Sequence, residues 1–123
     1  MSEPTRPAVP RRGDVFLVNF DSTVGAEIQK MRPALIIQND VGNRTSPVTI
    51  VAAITSTMRG GAYPTNVFVR APEGGLRTDS LVLANQIRTV DRKRLVKKLG
   101  SLKPATMELV NRAVEISVGL VAI

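Results

Sequence analysis

The chain has no cysteine, no histidine and no tryptophan, and among its 123 residues there are only three phenylalanines and one tyrosine. Without cysteine there is no disulfide, no thiol nucleophile and no thiolate zinc site. Without histidine there is no imidazole base and no histidine-containing metal triad. The ten acidic residues are scattered with no cluster spacing, so neither a metal nor another cofactor is expected. No apolar run approaches the roughly 20 residues that a membrane-spanning helix needs. The first residues, MSEPTRPAVPRRGD, lack the apolar stretch of a secretory signal. A cytoplasmic location is expected. Walker A, G-x-G-x-x-G and G-x-S-x-G patterns are also missing.

What is present is a modest apolar content and a strong charge of one sign. Hydrophobic residues make up 43% and charged residues 22%, which suits one small folded domain. Seventeen Lys and Arg against ten Asp and Glu give a net charge of +7, and such a surplus favours a polyanionic partner. Much of it lies in residues 88–103, where Arg88, Arg92, Lys93, Arg94, Lys97, Lys98 and Lys103 face one acid, Asp91. That segment suits a phosphate backbone, although a lysine-blunted edge strand would look the same. With so few rings, base recognition is expected to come mainly from hydrogen bonds rather than from stacking several bases.

The apolar spacing predicts short strands followed by one helix. Residues 1–12, with Pro4, Pro7 and Pro10, read as a solvated basic arm, and 13–123 as a single domain. Strands are expected at 13–20, 32–38, 48–55, 65–71 and 79–87, with a sixth short strand around Leu95–Leu99. Residues 21–31, 39–47 and 56–64 read as loops, and Gly74–Gly75 as a hairpin turn. From Pro104, the spacing of Met107, Val110, Val114 and Val118, widened by Leu109, Ala113, Ile116 and Leu120, is helical. This order predicts a mainly β fold, a small barrel-like sheet capped by a C-terminal helix.

The strings RRGDVF (11–16), GAEIQKMRP (25–33), RPALIIQNDVGN (32–43), VTIVAAITS (48–56) and NQIRTVD (85–91), in that order, resemble the MazF/PemK family of type II toxins. The resemblance covers about residues 11–120. It implies a small SH3-like (CcdB/PemK-like) barrel, a homodimer, and a sequence-specific, metal-independent endoribonuclease that cuts single-stranded mRNA. It also implies an acidic, MazE-like antitoxin as partner. In this correspondence Arg32, Thr55 and Glu27 fall on catalytic positions. Phe20 falls on a position that can stack a base, and Arg44, Ser56, Gln86 and Arg88 are further candidate RNA-binding residues. Two departures stand out: Ala26 and Ile28 replace polar groups in the loop carrying Glu27, and Asn85 stands where some relatives have an acid. Two rivals remain at this level. One is a CcdB-like gyrase poison, against which stands the lack of a C-terminal aromatic tail in a chain ending VGLVAI. The other is a non-catalytic SH3-like RNA-binding module.

Overall fold

The computed structural model describes residues 9–20, 30–58 and 63–123. Among these, the strands are β1 Asp14–Asn19, β2 Met31–Ile36, β3 Val48–Thr55, β4 Asn66–Val69, β5 Ser80–Asp91 and β6 Leu95–Ser101. The helices are α1 Asp40–Thr45 and α2 Pro104–Ser117. All six strands join one antiparallel sheet in the order β4-β5-β3-β2-β1-β6.

Both faces of this sheet are buried, which is why its strands read as near-continuous apolar runs rather than as clean alternation. On one face Phe16, Val18, Ala34, Ile36, Val51, Val90 and Leu95 form a cluster, with Phe20 packed at its border. On the other, Val15, Leu35, Ala52, Ile54, Val82 and Ala84 meet Val67 and Val69 of β4 and Val110 and Ala113 of α2. β5 serves both cores because its register on β3 shifts between Ala52 and Ala53; such a bulge bends a strand and increases its twist. A three-residue 3-10 turn, Arg92–Arg94, joins β5 to β6, so the sheet curls round the first cluster. The hydrogen-bonded ladder leaves β4 and β6 as its two edges. The result is the mainly β, SH3-like barrel expected, with an open ladder and a terminal helix.

The turn after β4 is pressed against β6. Gly75 has φ +73°, and a Cβ placed there would lie 1.9 Å from the Leu99 carbonyl oxygen. A Cβ on Gly100 would meet the Gly74 backbone at 2.6 Å. Glycine is therefore required on both sides of this junction. The Glu73 carboxylate accepts the Lys103 N–H at 3.0 Å, tying the same turn to the start of α2.

Four features differ from the sequence reading. Residues 9–12 are docked rather than solvated: Pro10 is buried, the Arg12 N–H donates to Asp40 at 2.7 Å, and Arg12 Nε donates to the Ile37 carbonyl at 2.9 Å. The expected arm at 1–8 lies outside the described residues. The run 39–47 contains a single-turn helix, because Asn39 caps it by accepting the Gly42 N–H at 2.7 Å and Asn43 is locked beneath it. Asn43 bonds Gln38 and Thr49, both buried. β5 runs four residues past Ile87, since Arg88–Asp91 pair with Val48–Val51 and bury Val90. Finally, the apolar stripe of α2 is narrower than its sequence suggests. Val110 and Ala113 are buried and Met107 and Val114 pack on the core, whereas Leu109, Val118 and Leu120 are 60%, 56% and 74% exposed. The helix ends at Ser117 in a reversal where Gly119 donates to Ile116 and Leu120 to Glu115, which turns the last apolar residues off the stripe.

Candidate functional site

The elements place two of the candidate catalytic residues together. β2 and β3 pair Ala34 with Ala53 and Leu35 with Ala52. Continuing that register two residues outward sets Arg32, near the start of β2, opposite Thr55, the last residue of β3. Arg32 is exposed because Pro33 starts the apolar part of the strand and Arg32 stands just before it. No carboxylate among the described residues pairs with it. Thr55 is half-buried, and its hydroxyl accepts the Thr57 N–H at 3.1 Å. This fixes the oxygen's position while its proton remains a donor.

Both residues line one cleft of about 550 Å³, together with Ser56. The cross-strand row Lys97, Leu17 and Pro33 lies within it, Leu17 being paired to both of the others. Ile54 continues the row, and Gly75, Leu76, Arg77 and Thr78 of the turn after β4 form the facing wall. The described residues that line the cleft include three cations, Arg32, Arg77 and Lys97, several hydroxyls and no acid. Such a surface can hold an anion by charge and by hydrogen bonding, and a guanidinium there can fork onto two oxygens of one phosphate.

The other candidates fall in three places. Phe20 follows β1, donates its N–H to the Lys30 carbonyl at 2.8 Å, and carries the Arg88 guanidinium 5.1 Å from its ring centroid. Alternation puts Phe20 on the side of Val18, the residue paired with Arg32. Phe20, Arg32 and Arg88 therefore belong to one end of the inner face. Gln86 is exposed on β5 between the paired residues Leu83 and Ile87, in the bulge itself, and bulges commonly re-aim side chains beside sites. Arg44 is elsewhere: it sits in α1, past the far end of β2, and lines a separate cavity with Val9, Pro10, Arg11 and Asp40. Glu27 lies outside the described residues.

The basic segment 88–103 is divided by the fold. Arg88 is on β5, Arg92–Arg94 form the 3-10 turn, and of the segment's bases only Lys97 lines the cleft. Its neighbour Lys98 pairs with the buried Asp14 at 3.3 Å. β6 is an edge strand, so the segment also guards an edge. Arg77 was missed by sequence reasoning, because in LRTDS it is an isolated arginine after a glycine turn. Only the packing of that turn on β6 brings it to the site.

A curled β sheet with a cleft across its strand ends, whose described lining holds cations and hydroxyls, is chemically suited to a phosphodiester. Comparison with known proteins narrows this class. Residues 11–118 match the model of the PemK-like, MazF-like toxin of type II toxin–antitoxin systems. The chain is 42% identical over 113 residues to Endoribonuclease EndoA of Bacillus subtilis, covering 92% of this chain and 97% of that protein. It is 46% identical over 110 residues to Endoribonuclease MazF of Staphylococcus saprophyticus, covering 89% and 92%. Among solved structures it is similar to a mycobacterial endoribonuclease in complex with its cognate antitoxin, with a TM-score of 0.77 and 28% identity over 93% of this chain and 99% of that one. It is likewise similar to MazF in a MazE–MazF complex from Deinococcus radiodurans, with a TM-score of 0.77 and 26% identity over 92% and 98%. The chain belongs to the PemK-like, MazF-like family of type II toxins.

Proposed function

We propose that the chain is the toxin of a type II pair, a MazF-type endoribonuclease that cuts single-stranded mRNA at short motifs, and that Arg32 and Thr55 carry the chemical step. The observation that carries this reading is their juxtaposition at one cleft whose described lining holds cations and hydroxyls without an acid. RNA supplies its own nucleophile. The 2′-oxygen attacks the adjacent phosphorus, the bond to the 5′-oxygen breaks, and the products are a 2′,3′-cyclic phosphate, or the 3′-phosphate formed from it, and a 5′-hydroxyl.

The protein has to hold the phosphate in line, stabilise charge on its oxygens and move one proton each way. Arg32 stabilises the two non-bridging oxygens, since a guanidinium that stays charged is a strong donor and a poor acid. Thr55 donates its hydroxyl to the same phosphate, its oxygen anchored by Thr57. Glu27 is the candidate base. Because the nucleophile is in the substrate, no metal is needed in this scheme. Phe20 with Arg88, Ser56 and Gln86 supply surfaces for neighbouring bases and phosphates, and Arg44 serves at most a distant phosphate.

The active form in this reading is a homodimer in the cytoplasm, with an acidic antitoxin segment competing for the cationic cleft. No helix among the described residues is long and apolar enough to cross a membrane. The test is incubation of the purified protein with a long single-stranded RNA in EDTA, followed by mapping of the new 5′ ends. Discrete cuts bearing 5′-hydroxyls are expected, and Arg32→Ala is expected to abolish them while leaving the Tm unchanged. Full activity of Arg32→Ala overturns the mechanism, and a strict need for a divalent cation overturns the metal-free scheme.

A further inference from the structure

The cleft contains more positive charge than one scissile phosphate requires. Arg77 and Lys97 reach it from two elements that are unrelated in sequence, the turn after β4 and the edge strand β6. Both side chains are exposed, and neither has an acidic partner among the described residues. Two neighbouring basic places differ in what lines them. Lys98, one residue along, is paired with Asp14. The cavity of about 340 Å³ around Arg11, Arg12 and Lys98 includes Asp14 and Asp40, and the one beside Arg44 includes Asp40. Those places hold acids beside their cations. The wall bearing Arg77 and Lys97 does not.

The backbone segments that carry the two cations are held against each other. Arg77 is two residues after Gly75, Lys97 is two residues before Leu99, and Gly75 and Leu99 are the residues in near-contact at the backbone. Two flexible side chains therefore project from a junction that cannot widen without losing its packing. Lys97 is paired with Leu17, and Leu17 with Pro33, the neighbour of Arg32. Pro33 and Arg32 are successive strand residues and point to opposite faces, so what joins this wall to Arg32 and Thr55 is the shared lining of the cleft across the strand ends.

We propose that Arg77 and Lys97 form a second phosphate subsite, which grips a phosphodiester flanking the scissile one and sets how tightly the substrate strand is held, without taking part in bond cleavage. This rests on the reading of the cleft as the RNA site. The division of labour is a forked arginine at the reacting phosphate and a looser cation pair for the backbone beside it. Affinity through this pair falls with salt and is indifferent to base identity.

The test uses the full-length chain and two ten-nucleotide RNAs containing the mapped cleavage motif. One is cleavable, and the other has a 2′-deoxy sugar at the cut. For Arg77→Ala and Lys97→Ala, binding of the uncleavable RNA is expected to weaken about tenfold each. The slope of log affinity against log salt is expected to fall by about 0.7 for each lost phosphate contact. KM should rise accordingly, while the single-turnover rate at saturation stays within about twofold, and Arg77→Lys should recover most of the affinity. Replacing the flanking phosphates one at a time by neutral methylphosphonate should weaken wild type at one position and leave the double variant unaffected there. Unchanged affinity and salt slope in both alanine variants, with a wild type that binds and cuts, overturns this inference alone. So does a loss confined to the saturated rate. A wild type that neither binds nor cuts the RNA overturns the functional reading, and this inference with it.

Discussion

Gly75→Ala tests how the site's far wall is held, and Gly119→Ala is its internal control. Both glycines have positive φ, +73° and +80°, so both substitutions carry the cost of a left-handed alanine, about 1 kcal/mol. They differ in what the new methyl meets. At Gly119, in the reversal that ends α2, nothing lies within 4 Å. At Gly75 the methyl would be 1.9 Å from the Leu99 carbonyl oxygen and 2.5 Å from its carbon. Those are backbone atoms that no rotamer change can move aside. Relieving the overlap requires the turn and β6 to separate by more than 1 Å, which adds about 2–4 kcal/mol by the scale of overpacked cores. With about 4 °C per kcal/mol for a domain of this size, thermal unfolding followed by circular dichroism should show Gly119→Ala down by about 4 °C. Gly75→Ala should be down by about 12–20 °C. Gly75 also lines the cleft, so Gly75→Ala assayed well below its Tm should show a raised KM as Arg77 and Lys97 move apart. If Gly75→Ala melts within about 2 °C of Gly119→Ala, the junction is not tight and the argument for a fixed cationic wall fails with it.

Three further outcomes are expected. Thr55→Ala removes the hydroxyl proposed to donate to the phosphate and the acceptor of the Thr57 N–H. It should cut the saturated cleavage rate by about a hundredfold in single-turnover assays, Thr55→Ser should restore most of it, and equal rates for the two would remove Thr55 from the mechanism. Asn43 is fully buried and bonds Gln38 and Thr49, so Asn43→Ala leaves buried groups without partners and should cost about 3 kcal/mol, read as a Tm lower by about 12 °C. The Arg12 N–H, with help from Asn43 and the nearby Arg11 and Arg44, holds the Asp40 carboxyl below its ordinary value. A depressed carboxyl adds stability above its unfolded pKa, near 4, that is lost as pH falls through the lower folded value. Asp40→Asn should therefore melt below wild type at pH 7, with the gap closing at pH 3, and a gap independent of pH would refute the assignment.

The sequence showed most clearly what depends on local pattern. β3 has the expected limits, Val48–Thr55, because an eight-residue apolar run ending in a turn has few other uses. Val67 and Val69 turn inward and Phe68 outward as their alternation requires. α2 starts at Pro104, where proline costs no hydrogen bond. What stayed hidden depends on long-range contact. The helix in 39–47 exists because Asn43 finds Gln38 and Thr49 beneath it, and composition alone gives a loop. The extension of β5 depends on its shifted register against β3. The docking of residues 9–12 depends on Asp40, about thirty positions away.

The site divides along the same line. Arg32 and Thr55 were legible through the resemblance of RPALIIQNDVGN and VTIVAAITS to the toxin family, and both stand at strand ends. The antiparallel pairing of β2 and β3 brings two such ends together. Arg77 was not legible, since it belongs to a turn whose place is decided by Gly75 and Gly100 meeting across β6. This asymmetry follows from how the cleft is built. One side is a continuation of the sheet, with geometry inherited from strand register, and it suits a reacting group that must be held to a fraction of an ångström. The other side is a turn packed onto an edge strand, held by steric closeness and one capping carboxylate. Substitutions there change the charge and reach of the wall without disturbing the register that aligns Arg32 with Thr55. In the proposed reading, a fold so divided can vary its grip on the substrate strand while its chemistry stays fixed.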